Sequence, residues 1–84
     1  MGQEAFEEAL KKVKTLPNQP PGVLLELYGL FKQASSGDVT GKRPGMLDMK
    51  GKAKYDAWSQ RKGMSQDEAK SAYVAVVDRL AAGS

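Results

Sequence analysis

The residues of this chain best suited to chemistry are the lysines of its middle third, together with one tyrosine. Lys50 and Lys54 are four residues apart, so they share one face of a predicted helix. Lys32 follows Tyr28 by one helical turn on the preceding helix. Ammonium groups and a phenol hydroxyl can hold a phosphate, and a helix N-terminus adds to that attraction. An apolar stripe runs beside Tyr28, so the pattern indicates a site for an anion that carries a hydrophobic part.

The positive charge is concentrated in the middle of the chain. The net charge is +3, from 13 basic and 10 acidic residues. Residues 27–63 alone carry a net charge of +5, whereas residues 1–26 and 64–84 each carry −1. A field of this kind favours an anionic ligand or surface.

Several kinds of chemistry are excluded by residues that the chain does not contain. It has no histidine and no cysteine. Disulfide scaffolds, Cys/His zinc sites, thiol nucleophiles and histidine general bases are therefore impossible. Neighbouring carboxylates such as Glu7 and Glu8 fall near predicted helix N-termini, where the helix dipole explains them.

The residues alone leave alternatives open. A run of lysines on a short helix is most often a solvated face, and Tyr28 at helical spacing is often the rim of a core. A basic stripe is also the signature of a nucleic-acid-binding helical domain. A protein-interaction module that holds a partner's helix in an apolar groove is a further alternative. Enzymatic activity is the least favoured interpretation, because no spacing of residues in the sequence pairs a nucleophile with a base.

Four helices are predicted to position these residues. They span about residues 3–16, 21–36, 51–62 and 65–82. The first has apolar residues three or four apart, with glutamates early and lysines late, as the helix dipole favours. Ser65 and Glu68 form a capping box at the start of the fourth. Residues 37–50 form a long loop, and loops of this length are often functional.

The length and composition indicate one small all-α domain over residues 1–84. With 84 residues, the chain has no room for a second core. The first residues lack the basic segment and apolar run of a signal peptide, and no apolar stretch reaches the roughly 20 residues that span a membrane. We therefore expect a soluble cytoplasmic protein.

Three ordered motifs resemble the acyl-CoA-binding protein family. The first is Tyr-Gly-Leu-Phe-Lys-Gln-Ala-Ser-Ser-Gly-Asp at 28–38, and the second is Arg-Pro-Gly-Met-Leu-Asp at 43–48. The third is Gly-Lys-Ala-Lys-Tyr-Asp-Ala-Trp at 51–58, and shorter matches continue at 62–65 and 72–73. The resemblance covers essentially the whole chain. It implies a four-helix bundle of up-down-down-up topology, with a bowl-shaped site for medium- to long-chain acyl-CoA thioesters.

The resemblance also implies a role for individual residues. Tyr28, Lys32 and Lys54 would bind the ribose 3′-phosphate, with Lys50 beside the CoA head group. Phe31 stands where the family often has tyrosine and would stack on adenine. The remaining implied contacts are those of Ala9 and Lys14 with adenine, of Tyr73 with the nucleotide or pantetheine, and of Leu24 and Leu25 with the acyl chain.

The function that follows from the resemblance is that of a carrier and not of an enzyme. Such a protein would bind acyl-CoA with high affinity, maintain an intracellular pool of it and meet acyl-CoA-using enzymes and membranes transiently. We expect a monomer that requires no cofactor or metal and does not bind nucleic acid.

Overall fold

The computed structural model describes residues 2–83 and contains four α-helices in that range. They are α1 (Gly2–Val13), α2 (Pro21–Ser36), α3 (Met49–Ser59) and α4 (Gln66–Ala81). No strand occurs within the described residues. The predicted all-α class and the long loop between the second and third helices are confirmed.

Local chemistry explains where the helices begin. Pro21 occupies the first position of α2, where its missing N–H has no helical partner to lose. The Ser65 hydroxyl accepts a hydrogen bond from the Glu68 N–H at 3.0 Å, and the Glu68 carboxylate accepts from the Ser65 N–H at 2.9 Å. The predicted capping box of α4 is therefore confirmed.

Three predicted helix boundaries are wrong, two of the third helix and one of the first. The third helix was expected at about 51–62, but Asp48 caps it by accepting a hydrogen bond from the Gly51 N–H, so α3 begins at Met49. It ends at Ser59 and is followed by turns up to Gly63, which has a φ of 93°. The first helix was expected to reach residue 16 but ends at Val13 and gives way to a turn before Pro17. A proline disfavours helical backbone in the residue before it.

Contacts between the helices define their directions. The Lys12 ammonium lies 3.2 Å from the Asp78 carboxylate, so the C-terminal ends of α1 and α4 are together and the two helices run parallel. Gln66, at the start of α4, donates a hydrogen bond to the carbonyl of Ala34, near the end of α2. Helix α2 is therefore antiparallel to α4.

Helix α3 packs beside α2 and runs in the same direction. Lys54 lies over the Tyr28 ring, and one turn further along both helices Lys32 lies over the Trp58 ring. Gly29 permits close packing, because a Cβ at that position would collide with the backbone carbonyl of Ala57. The order is up-down-down-up.

The core lies mainly where α4 packs against α1 and α2. The buried apolar side chains of this cluster are Phe6, Ala9, Leu27, Leu30, Ala34, Ala69, Tyr73, Val76 and Val77. Helix α3 contributes one buried residue, Ala57. Most of α3 is therefore free to shape a surface site.

One buried polar residue fastens the long loop to this core. The Gln33 amide is wholly buried and donates hydrogen bonds to the Met64 carbonyl at 2.7 Å and the Asp38 carboxylate at 2.8 Å. The Gly63 N–H donates to the same carboxylate at 2.9 Å. These bonds tie the first residues after α2 to the turn between α3 and α4.

Candidate functional site: the groove between α2 and α3

An open apolar groove of about 370 Å³ lies between the N-terminal halves of α2 and α3. Leu24 and Met49 remain 53% and 72% exposed there, so hydrocarbon is presented to solvent on both helices. The lining residues are Pro21, Leu24, Leu25, Met49, Lys50, Ala53 and Lys54. The groove therefore combines apolar walls with two lysines.

A third lysine, Lys32, continues the row of cations along the same two helices. The Lys54 ammonium lies 5.5 Å from the centroid of the Tyr28 ring, and the Lys32 ammonium lies 4.7 Å from the centroid of the Trp58 ring. Among the described residues, no carboxylate lies within ion-pair distance of either ammonium. Their charge therefore remains available to an anionic ligand.

The side chain beneath Lys32 is itself held in place. The Trp58 indole N–H donates a hydrogen bond of 2.8 Å to the carbonyl of Gly37, the first residue after α2. Because Gly37 has a φ of 80°, the chain turns there and its carbonyl can reach the indole. The cation–π contact of Lys32 therefore rests on an ordered ring.

The structure brings six of the predicted ligand residues together along this face. Leu24, Leu25, Lys50 and Lys54 line the groove, and Tyr28 contacts Lys54. Lys32 follows Tyr28 by one turn of α2 and lies over the Trp58 ring.

The other predicted ligand residues lie outside the groove. Tyr73 is 4% exposed and packs edge-on against Phe6, with ring centroids 5.3 Å apart. Burial raises the pKa of the Tyr73 hydroxyl. Phe31 is half-buried and stacks on Phe6 at 6.3 Å. A ligand can reach Tyr73 only through the small part of its surface that is not covered.

The two predicted ligand residues from the first helical segment also lie apart from the groove. Ala9 is buried and lines a separate groove between α1 and α4, beside Lys12 and Asp78. Lys14 is exposed in the turn that follows α1.

Residues 3–77 match the model of the family described as "Acyl CoA binding protein". The chain belongs to the acyl-CoA-binding protein family. It is 51% identical over 79 residues to acyl-CoA-binding protein homolog 1 of Caenorhabditis elegans, covering 93% of this chain and 92% of the relative. It is 51% identical over 82 residues to the homolog from Manduca sexta, covering 95% of this chain and 91% of that one.

The fold agrees with that of solved members of the family. The crystal structure of acyl-CoA-binding protein 2 from Oryza sativa superposes with a TM-score of 0.96 at 43% identity, covering 99% of this chain and 93% of the rice protein. The resemblance stated from the motifs is therefore confirmed, as is the four-helix bundle.

Sequence reasoning did not assign three residues that shape the groove. Pro21, Met49 and Ala53 all line it. Asp48, a residue type favoured as an N-cap, is the signal that would have placed Met49 in the first turn of α3. Once α3 begins at Met49, that residue and Ala53 are four apart and share a face.

Between residues 2 and 83, no cluster of three or more acidic side chains is suited to hold a metal ion. No helix described there is long and apolar enough to cross a membrane.

Proposed function

We propose that this protein binds medium- to long-chain fatty acyl-CoA thioesters with high affinity, one per chain, and acts as a carrier and pool former for them. The observation that carries the proposal is the exposed apolar groove between α2 and α3 together with the unpaired lysines along the same helices. Membership of the acyl-CoA-binding protein family supports the same ligand.

The groove suits the hydrocarbon tail of such a ligand. Burial of each CH₂ contributes about 0.8 kcal/mol, so a long chain gains roughly 10 kcal/mol before costs. Ordering of the flexible chain on binding offsets part of this gain. Leu24, Leu25 and Met49 are the side chains that the tail would cover.

The lysines suit the polyanionic head. Hydrogen bonds from ammonium groups to phosphate are stronger than those between neutral groups. We assign Lys32, Lys54 and the Tyr28 hydroxyl to the ribose 3′-phosphate, and Lys50 to the flank of the head group. Lysine suits a phosphate at a solvent-exposed rim, because point charge matters there more than the fork geometry of arginine.

Four residues outside the groove complete the proposed site. The half-buried ring of Phe31 offers a face for adenine, without the hydroxyl of a tyrosine. We propose that Ala9 and Lys14 approach the adenine from α1 and its following turn. Tyr73 would contact the nucleotide or pantetheine through its remaining exposed edge.

We propose a carrier and not an enzyme, working as a cytoplasmic monomer without a cofactor. A bound thioester is safest where no strong nucleophile is near, and the chain contains neither histidine nor cysteine. Acyl-CoA-using enzymes and membranes would be transient partners, and nucleic acid would not be one.

Calorimetric titration with palmitoyl-CoA tests the proposal. We expect one-to-one binding that weakens by about 1.5–3 kcal/mol, or tenfold or more, in Lys32→Ala and in Lys54→Ala. Lys62→Ala, in the exposed turn that follows α3, is the matched control and should bind as the unchanged protein does. Equal affinity for the ester of dephospho-CoA would refute the 3′-phosphate assignment, and no binding of either ester would refute the function.

Two rival functions give different results in the same experiment. A nucleic-acid-binding domain would bind DNA or RNA with a steep salt dependence and no preference for an acyl tail. A module that binds a partner's helix in the groove would give no heat with acyl-CoA.

A further inference from the structure

Two apolar side chains stand at the tip of the loop that precedes α3. Met46 is 84% exposed and Leu47 is 100% exposed. The Asp48 N–H donates a hydrogen bond of 3.1 Å to the Gly45 carbonyl, which makes Met46 and Leu47 the two central residues of a turn. Such positions usually carry Gly, Pro, Asn, Asp or Ser. We refer to Met46 and Leu47 as the apolar tip.

The apolar tip is presented by an ordered segment. On its C-terminal side, Asp48 caps α3 through its hydrogen bond with the Gly51 N–H. On its N-terminal side, Arg43 makes two hydrogen bonds of 2.8 Å to the Asp56 carboxylate. The Tyr55 hydroxyl donates one of 3.0 Å to the Gly41 carbonyl. The loop is thus fixed to α3, while its two largest apolar side chains contribute nothing to the core.

The charges around the apolar tip are mainly positive. Lys42 and Lys50 lie within four residues of it, and within the described range neither forms an ion pair. The two nearby carboxylates are engaged, Asp48 as the helix cap and Asp56 with Arg43. Exposed hydrophobic side chains with an unpaired lysine on either side of them in the chain are complementary to an anionic phospholipid surface.

We propose that the apolar tip docks this protein on anionic phospholipid membranes. Met46 and Leu47 enter the headgroup region, and Lys42 contacts lipid phosphates and carboxylates, joined by Lys50 when no CoA head group is bound beside it. A phospholipid surface fits better than a protein partner, because a stable protein interface buries about 800 Å² on each side. A two-residue turn offers much less, but shallow insertion into a lipid interface requires only a few apolar side chains with positive charge around them.

Docking at this place has a consequence for the groove between α2 and α3. Met49 follows the apolar tip after one residue and also lines the groove. When the protein is docked through the apolar tip, the mouth of the groove therefore lies against the bilayer. An acyl chain then passes between the lipid and the groove with little exposure to water. This consequence rests on the proposed acyl-CoA binding, whereas docking itself does not.

Single-site fluorescence labelling tests the docking. Because the chain lacks cysteine, Leu47→Cys accepts one environment-sensitive nitrobenzoxadiazole label. Ser71→Cys, on the exposed side of α4, is the matched control position. With phosphatidylcholine vesicles that contain phosphatidylserine, we expect a blue shift and an intensity increase at position 47 and none at 71. With phosphatidylcholine alone, the response should be weaker.

Vesicle flotation with unlabelled variants separates the contribution of the apolar side chains to membrane affinity from that of the lysines. We expect Leu47→Ser to weaken the vesicle affinity by about tenfold, because a full apolar side chain leaves the lipid. Lys42→Gln should weaken it by about fivefold, and Lys11→Gln, on α1, should not change it. Raised salt should reduce vesicle binding of the unchanged protein, because ions screen the attraction between the lysines and the anionic lipids.

Three outcomes would overturn the proposal. The first is an unchanged signal at position 47 with anionic vesicles. The second is a signal that appears with palmitoyl-CoA in the absence of vesicles, which would make the tip a cover for the ligand. The third is a signal that depends only on protein concentration, which would show that the apolar tip is a surface for self-association. Calorimetry with palmitoyl-CoA on the Leu47→Ser protein separates these outcomes from failure of the proposed function.

Discussion

The Lys32 ammonium lies 4.7 Å from the centroid of the Trp58 ring, on the side of the molecule where α2 and α3 run in parallel. An aromatic face attracts a cation without neutralising it. A carboxylate at the same position would orient Lys32 equally well but would compete with an incoming phosphate. The arrangement therefore holds the lysine in place and leaves its charge available.

Trp58 should report occupation of the head-group site. We expect free CoA, which has no acyl chain, to change Trp58 emission as its phosphate draws Lys32 from the ring. Lys32→Met keeps an apolar stem over the indole but removes the charge, so it should lower CoA affinity about tenfold and abolish most of the change. Lys54→Met should lower affinity but retain the change at saturation. Emission that does not respond to CoA in the unchanged protein would contradict this position for the head group.

Leu24 should determine how strongly affinity depends on acyl-chain length. Each CH₂ that is buried contributes about 0.8 kcal/mol, and Leu24→Ser removes part of the surface that buries it. We expect the gain in affinity from octanoyl-CoA to palmitoyl-CoA to shrink in this variant, with affinity for free CoA unchanged. Ala75→Ser, on the exposed side of α4, is the control. An equal loss for every ligand, free CoA included, would mean that Leu24 acts on the fold and not on the tail.

The sequence predicted well those boundaries that have a local chemical cause. Helix α2 begins at Pro21 and is followed by Gly37, as expected, because proline suits a first turn and glycine accepts the φ of 80°. The Ser65 cap is equally local. The start of α3 was predicted two residues late because the segment around Asp48 resembles loop composition, and only the cap distinguishes it.

The sequence predicts which site residues lie together when they share one helix. It predicts contacts between residues of different helices less well, because these depend on how the helices pack. Lys32 and Tyr28 are a turn apart on α2, so sequence alone associates them. The contact of Lys32 with Trp58 depends on how closely α2 and α3 approach, and periodicity carries no such information. Similarly, an apolar stripe on α4 does not show whether its tyrosine contacts a ligand or lies in the core. In the structure, Tyr73 is almost wholly buried in the core.

Gly29 should be required for the close approach of α2 and α3. A Cβ at this position would collide with the backbone carbonyl of Ala57, which cannot move as a side chain does. We expect Gly29→Ala to lower the free energy of unfolding by about 1–3 kcal/mol. Because the groove lies between the same helices, affinity for palmitoyl-CoA should fall as well.

Gly22→Ala is the matched control for that substitution, since it lies in the same helix and its Cβ would meet nothing within 4 Å. It should be neutral or stabilising by up to about 1 kcal/mol, as alanine is the better helix former. Denaturant unfolding measures both variants. If the two substitutions have the same effect, helix propensity and not the Ala57 contact is the cause.

Asp38 should make the protein less stable in acid. Hydrogen bonds from the Gly63 N–H and then from the Gln33 amide lower the pKa of Asp38 below its ordinary value of 3.8. The carboxylate therefore stabilises the folded chain at every pH above that ordinary value, and the contribution is lost as the pH falls through the lowered pKa. We expect Asp38→Asn to be less stable than the unchanged protein at neutral pH, with the difference shrinking in acid. Thermal unfolding of both proteins from neutral to acidic pH measures this difference in stability. A difference that does not change with pH would show that the ionised carboxylate of Asp38 does not stabilise the fold.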